Sequence, residues 1–198
     1  MSKIREYSSY EEYLKHQSFR YAGGRSRKKF LSHFDTRLAK YTERFNVLKE
    51  RGYTKEGQNI LCLGARFGEE CLAFQHYGLK TKGIDLIPTP PLVEKGDFMK
   101  LDIVNEFDLV YTNAIDHALD LDLFLVNIYN ALKDDGLLFI DIFIANRDKL
   151  EVQLFENEKS IIEDCKGKFS LVEVFNSLPN YYGERNLILY VFKKEKLT

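Results

Sequence analysis

The chain has 198 residues, 44% of them hydrophobic and 30% charged, with 29 Lys and Arg against 30 Asp and Glu. That length suits one domain with a sizeable core and leaves no room for a second catalytic domain. No apolar run approaches the ~20 residues needed to cross a bilayer; no apolar signal region follows Met1, and three widely spaced cysteines make neither a disulfide framework nor a metal-ligand pair, so a soluble protein of a reducing, cytoplasmic compartment is expected.

The near-neutral total hides an asymmetry. Residues 1–57 sum to +7 and residues 58–198 to −8, which divides the chain into a basic N-terminal helical extension and an acidic body. Within the extension, apolar and aromatic residues recur at helical spacing over 7–15 and again over 25–51, where Phe30, Phe34, Leu38, Tyr41, Phe45 and Leu48 predict one long amphipathic helix ended at Gly52. Gly23-Gly24 separates the two helices, and Ser26 suits the cap of the second. The basic run Arg25-Ser-Arg-Lys-Lys29 fits either a phosphate contact or a solvated helix start.

From Asn59 the pattern changes to short apolar runs alternating with helical stretches, as in a parallel sheet with helices on both faces. Strands are expected at 59–63, 80–85, 107–112 and 137–143, with a short one within 93–99, and helices at 68–78, 119–132 and 148–165. Lys133-Asp134-Asp135-Gly136 reads as a helix stop and turn. The following Leu137-Leu-Phe-Ile-Asp-Ile-Phe-Ile is apolar enough for a central strand covered on both faces. Two strand patterns near the end, 169–177 and 186–193, have no helix between them and must pair antiparallel, because a parallel pair needs a crossover of about a dozen residues or more. Cys62 and Cys71 fall in strand and helix patterns and read as inert core thiols.

The most informative stretch is Leu61-Cys-Leu-Gly64-Ala65-Arg66-Phe67-Gly68. An apolar strand that stops at a glycine, turns through a second glycine and enters a helix brings a nucleotide-type ligand against backbone, and an acidic residue about 20 positions later is placed for ribose hydroxyls. Asp85, in Gly83-Ile-Asp85-Leu86, is that residue. A nicotinamide dehydrogenase fits less well, since its G-x-G-x-x-G pattern fails at Arg66 and Glu69.

Taken in order with Gly96-Asp97-Phe98, with Phe107-Asp-Leu-Val-Tyr-Thr-Asn113-Ala-Ile-Asp116-His117, and with the terminal hairpin, these motifs resemble the class I S-adenosylmethionine-dependent methyltransferases over roughly residues 59–193. The resemblance implies an α/β fold, a doubly wound, mostly parallel seven-stranded sheet of order 3-2-1-4-5-7-6 with strand 7 antiparallel. It implies S-adenosylmethionine as cofactor, held by Gly64, Ala65, Arg66, Phe67, Gly68, Asp85, Leu86, Asp97, Phe98 and Asn113. Arg66 stands where the family has its middle glycine. Its guanidinium can meet the methionine carboxylate of the cofactor, or turn to solvent or to Glu69 or Glu70.

Methyl transfer from a sulfonium is an in-line displacement, so much of the work is positioning, and a base is needed only when the acceptor must lose a proton. His117 beside Asp116 is the candidate base, because imidazole titrates near neutrality; a cap at the start of the next helix is its other reading. Tyr111, Asn113, Tyr181 and Tyr182 are candidates to line the acceptor pocket. The chain lacks an Asn/Asp-Pro-Pro-aromatic motif after the fourth strand and a proline-cysteine pair, which argues against exocyclic base amines and pyrimidine C5 as acceptors. The expected function is methyl transfer to an oxygen or nitrogen of a small molecule such as a sugar or metabolite, with residues 1–57 as a lid. RNA methylation through the basic segment, and a non-catalytic cofactor-binding domain, are the alternatives.

Overall fold

The computed structural model describes residues 2–3, 5–22, 28–29, 31–144, 152–179 and 187–196. Gly23-Gly24, Ser26, most of the basic run, and the Tyr181-Tyr182 pair lie outside them. The elements are β1 (Ser2–Lys3), α1 (Tyr10–Ala22), α2 (Phe34–Glu50), β2 (Asn59–Leu63), α3 (Glu69–His76), β3 (Lys80–Asp85), β4 (Val93–Lys95), β5 (Phe107–Thr112), α4 (Leu121–Ala131), β6 (Leu132–Phe143), β7 (Gln153–Leu154), α5 (Glu158–Cys165), β8 (Phe169–Phe175) and β9 (Leu187–Lys194).

Seven strands form one sheet in the order β4-β3-β2-β5-β6-β9-β8. Numbered within the sheet this is 3-2-1-4-5-7-6. The pairs from β4 to β6 are parallel, while β9 runs antiparallel to both β6 and β8. Period-2 alternation divides the core in two. Leu61 and Leu63 of β2, Val110 of β5 and Ile140 of β6 join Phe124 and Ile128 of α4 on one face, with Tyr13 of α1. Ile60, Cys62, Tyr111 and Phe139 join Phe45 and Leu48 of α2 and Phe74 of α3 on the other. The two N-terminal helices thus pack on opposite faces of the sheet. All three cysteines are buried, and burial pushes the Cys62 thiol up, in keeping with an inert core residue.

Three expectations need correction. The helix foreseen over 25–51 is interrupted at Ser32 and His33, where the Ser32 hydroxyl (2.8 Å) and His33 Nδ1 (2.9 Å) turn back to the Lys29 carbonyl; such local bonding competes with helix continuation. Helix α5 begins at Glu158, because Asn157 caps it by accepting from the Lys159 and Ser160 amides at 3.0 and 3.2 Å. Residues 153–154 are instead extended and pair with β1. Finally, α4 passes directly into β6, and 133–136 form an irregularity against β5 rather than a separate turn, with Asp135 at φ 62°.

Candidate cofactor cleft

A cleft opens at the carboxyl ends of β2, β3 and β5, where open α/β sheets place their ligands. Gly64, directly after β2, has φ 78° and its amide donates to the Ile84 carbonyl at 2.9 Å. A Cβ there would stand 2.5 Å from that of Ala114. Only glycine therefore allows both the left-handed turn and the approach of the segment after β5. Gly68, at φ 81°, caps α3 without a side-chain bond, and its missing Cβ leaves space for Leu92 and Val93 at 3.1 and 3.2 Å. Between the glycines, Ala65 and Phe67 turn inward and are buried.

Arg66 occupies φ 31°, the left-handed region an L side chain rarely adopts. Its amide donates to Asp85 Oδ2 at 3.2 Å and its Nε lies 4.0 Å from the same oxygen. Glu69 is paired with Arg37, whose Nε donates to Glu69 Oε1 at 2.8 Å and whose guanidinium carbon lies 5.9 Å from the centre of the Phe67 ring. Glu70 is buried, and that burial raises its carboxyl pKa well above the usual range.

Asp85 ends β3 and is 6% exposed. Its Oδ1 accepts from the Ile87 amide at 2.7 Å while Oδ2 faces Arg66. Two backbone amides from two different loops therefore hold the carboxylate at the lip of the cleft. Leu86, Ile87, Gly64 and Arg66 line the cleft beside it, and Phe98, Ala114 and His117 line it from the β4 and β5 sides. The Phe98 ring meets Phe124 edge-on at 4.9 Å.

His117 closes a short 3-10 turn, Ile115–His117, after β5. Its side chain is 25% exposed, and Nε2 is 3.9 Å from Asp116 Oδ1. Asp97 lies behind the cleft wall: Oδ1 accepts from the Met99 amide at 2.9 Å and Oδ2 accepts from the Tyr10 hydroxyl. Asn113 also lies off the cleft, with its amide donating to the Tyr41 hydroxyl at 2.7 Å.

The structure thus brings Gly64, Arg66, Asp85, Leu86, Phe98 and His117 onto one cleft. Ala65, Phe67, Gly68, Asp97, Asn113 and Asp116 are not among the residues that line it. Tyr111 does not line an acceptor pocket: it is fully buried, and its hydroxyl donates to Asp141 Oδ2 at 3.0 Å. Sequence reasoning missed Tyr13 and Gln17 of α1, which form the roof. Their signal was Tyr7, Tyr10 and Tyr13 at three-residue spacing, a face whose docking place the spacing does not reveal.

No family model matches the chain, and no curated protein matches it by sequence. Solved structures do. The 1,6-didemethyltoxoflavin-N1-methyltransferase of Burkholderia thailandensis, with 1,6-didemethyltoxoflavin and S-adenosylhomocysteine bound, is similar over 98% of this chain and 95% of its own, at TM-score 0.76 and 14% identity. The protein bound to the Trm112 methyltransferase activator of Haloferax volcanii is similar over 92% and 98%, at TM-score 0.70 and 16% identity. Phosphoethanolamine N-methyltransferase 2 of Haemonchus contortus, with phosphomonomethylethanolamine and S-adenosylhomocysteine, matches 77% of this chain and 52% of its own at TM-score 0.62 and 20% identity. The fold is that of the class I S-adenosylmethionine-dependent methyltransferases.

Proposed function

We propose that the protein is an S-adenosylmethionine-dependent methyltransferase acting on an oxygen or nitrogen of a small molecule. The observation that carries this reading is Asp85, a buried-lip carboxylate fixed by the Ile87 and Arg66 amides and facing the same cleft as the Gly64 turn and His117. The residues fit the cofactor. Asp85 would take the ribose hydroxyls, Leu86 and Phe98 would flank the adenine, and Gly64 would let the ligand approach backbone. Arg66, beside Asp85 and partly exposed, offers a cation for the methionine carboxylate. When bound, the cofactor supplies an electrophilic methyl carbon to an in-line nucleophile.

His117 lines the cleft and is the group that would take a proton from a hydroxyl acceptor, with Asp116 Oδ1 3.9 Å from its Nε2. A small acceptor is supported by α1, whose Tyr13 and Gln17 line the cleft and narrow the room above it.

Calorimetry with S-adenosylmethionine and S-adenosylhomocysteine tests the reading. Wild type should bind both, and Asp85→Ala should weaken binding about 10- to 100-fold through the loss of charge-assisted bonds to two hydroxyls. No binding by wild type would sink the proposal.

A further inference from the structure

Helix α1 bridges the two lips of the cleft. Tyr10, Tyr13 and Gln17 fall on one face at i, i+3 and i+7. On the β4 side, the Tyr10 hydroxyl donates to Asp97 Oδ2, and the Lys100 ammonium lies 4.3 Å from the centre of the Tyr10 ring. On the β5 side, the Tyr13 hydroxyl donates to the His117 carbonyl at 3.2 Å. Gln17 and the fully buried Tyr13 face the cleft between these points. On the outer side of the helix Glu11, Glu12 and Lys15 are exposed, so among the described residues α1 is a single-layer roof.

The chain before α1 is tied down separately. Strand β1 pairs with β7, whose Gln153 amide donates to the Ala118 carbonyl at 2.9 Å, next to His117. The helix is therefore anchored at its N-terminal end to the β5 lip, while its hold on the β4 lip includes a hydroxyl–carboxylate bond between partly buried groups. Resting on the cofactor reading above, we infer that α1 is a hinged roof latched by Tyr10 on Asp97 and Tyr13 on the His117 carbonyl, and that ligand enters and leaves only while this latch is open.

A latch differs from a ligand contact in its kinetics. Opening is common to entry and exit, so weakening the latch speeds both and shifts affinity less than either rate. Tyr10→Phe removes one hydroxyl and keeps the ring. In ligand-free protein, amide exchange over residues 10–22 should accelerate about 3- to 10-fold, as expected for one charge-assisted bond at a partly exposed site. S-adenosylhomocysteine dissociation, followed by displacement, should speed up by a similar factor, with association rising in parallel, and Tyr10→Phe/Tyr13→Phe should extend both effects. Unchanged exchange over 10–22 overturns the latch whatever the ligand does. Faster exchange with an unchanged dissociation rate overturns the gate, and wild type that binds no S-adenosylhomocysteine overturns the cofactor reading and the gate with it.

Discussion

Glu70 is an acid placed where its charged form is disfavoured. It is 3% exposed, and burial raises its pKa well above the usual range, with the Cys71, Glu69 and Asp85 charges pushing the same way. Between the ordinary glutamate value of ~4.3 and that raised value, the folded chain holds a proton the unfolded chain has lost, so this group's contribution to stability falls as pH rises. Glu70→Gln should then raise Tm at pH 8, at about 2–4 °C per kcal/mol for a chain this size, with the gain shrinking as pH approaches 4. A melting series across pH checks this, and a gain that grows on acidification contradicts the assignment. His117 has a separable role: His117→Ala should lower turnover of a hydroxyl acceptor by about 10²- to 10⁴-fold while changing S-adenosylhomocysteine affinity little. Parallel turnover and binding assays distinguish the two, and full activity in the variant would remove the proposed base.

At the scale of elements, α2 is fixed by a buried ion pair. Arg44 and Asp141 are both fully buried, joined through Nε at 3.0 and 2.9 Å and Nη2 at 2.6 Å. Arg44 also donates to the Pro179 and Leu187 carbonyls at 3.2 and 3.1 Å. This single side chain joins α2, the central β6, the start of β9 and the segment after β8. Burial raises the Asp141 pKa against the opposing pull of Arg44. Removing one partner leaves an uncompensated buried charge, so Arg44→Ala should cost about 3–5 kcal/mol in urea unfolding, whereas Arg44→Met with Asp141→Leu should recover most of it. Equal losses in the single and double variants would mean that packing, not charge, carries the cost. The seven strands of the main sheet were legible from sequence because apolar period and turn residues act locally, and the terminal hairpin because so few residues connect its strands, whereas the two-residue β1 and β7 carry no such pattern. The Arg44–Asp141 pair was not, since an arginine on an amphipathic helix also reads as surface. Its one visible signal was Asp141 itself, a lone acid in an apolar run expected to be covered on both faces, which requires a cation. Residues 1–57 were expected as a lid, but which residues of α1 meet the cleft was illegible for a different reason: its tyrosine face bonds to Asp97 and His117 across 87 and 104 residues of sequence.

For the whole molecule, part of the charge asymmetry is spent internally. Arg37, Arg44 and Arg51 recur every seventh residue along α2 and its cap, and each meets a carboxylate of the acidic body: Glu69, Asp141, and Glu173 at 3.3 Å. The first two pairs are buried, so neither side of them is available to an external polyanion and salt screens them little. Of the basic run 25–29, the described residues are Lys28 and Lys29, both exposed, and Lys15, Lys49 and Lys55 are exposed elsewhere in the segment. Nucleic-acid binding draws its affinity from released counterions, one for each phosphate neutralised, and log K falls with log salt at about −0.7 per contact for single strands. With three cations of the +7 excess paired to the acidic body, about four remain, so single-stranded RNA should show a slope shallower than about −3 and no saturable binding near 0.15 M salt. Neutralising Lys28 and Lys29 should leave turnover of a small acceptor unchanged. Fluorescence anisotropy of a labelled oligonucleotide across a salt series measures the slope directly; a steep slope with binding that persists at 0.15 M would return the basic extension to the role of an RNA grip and overturn the small-acceptor reading.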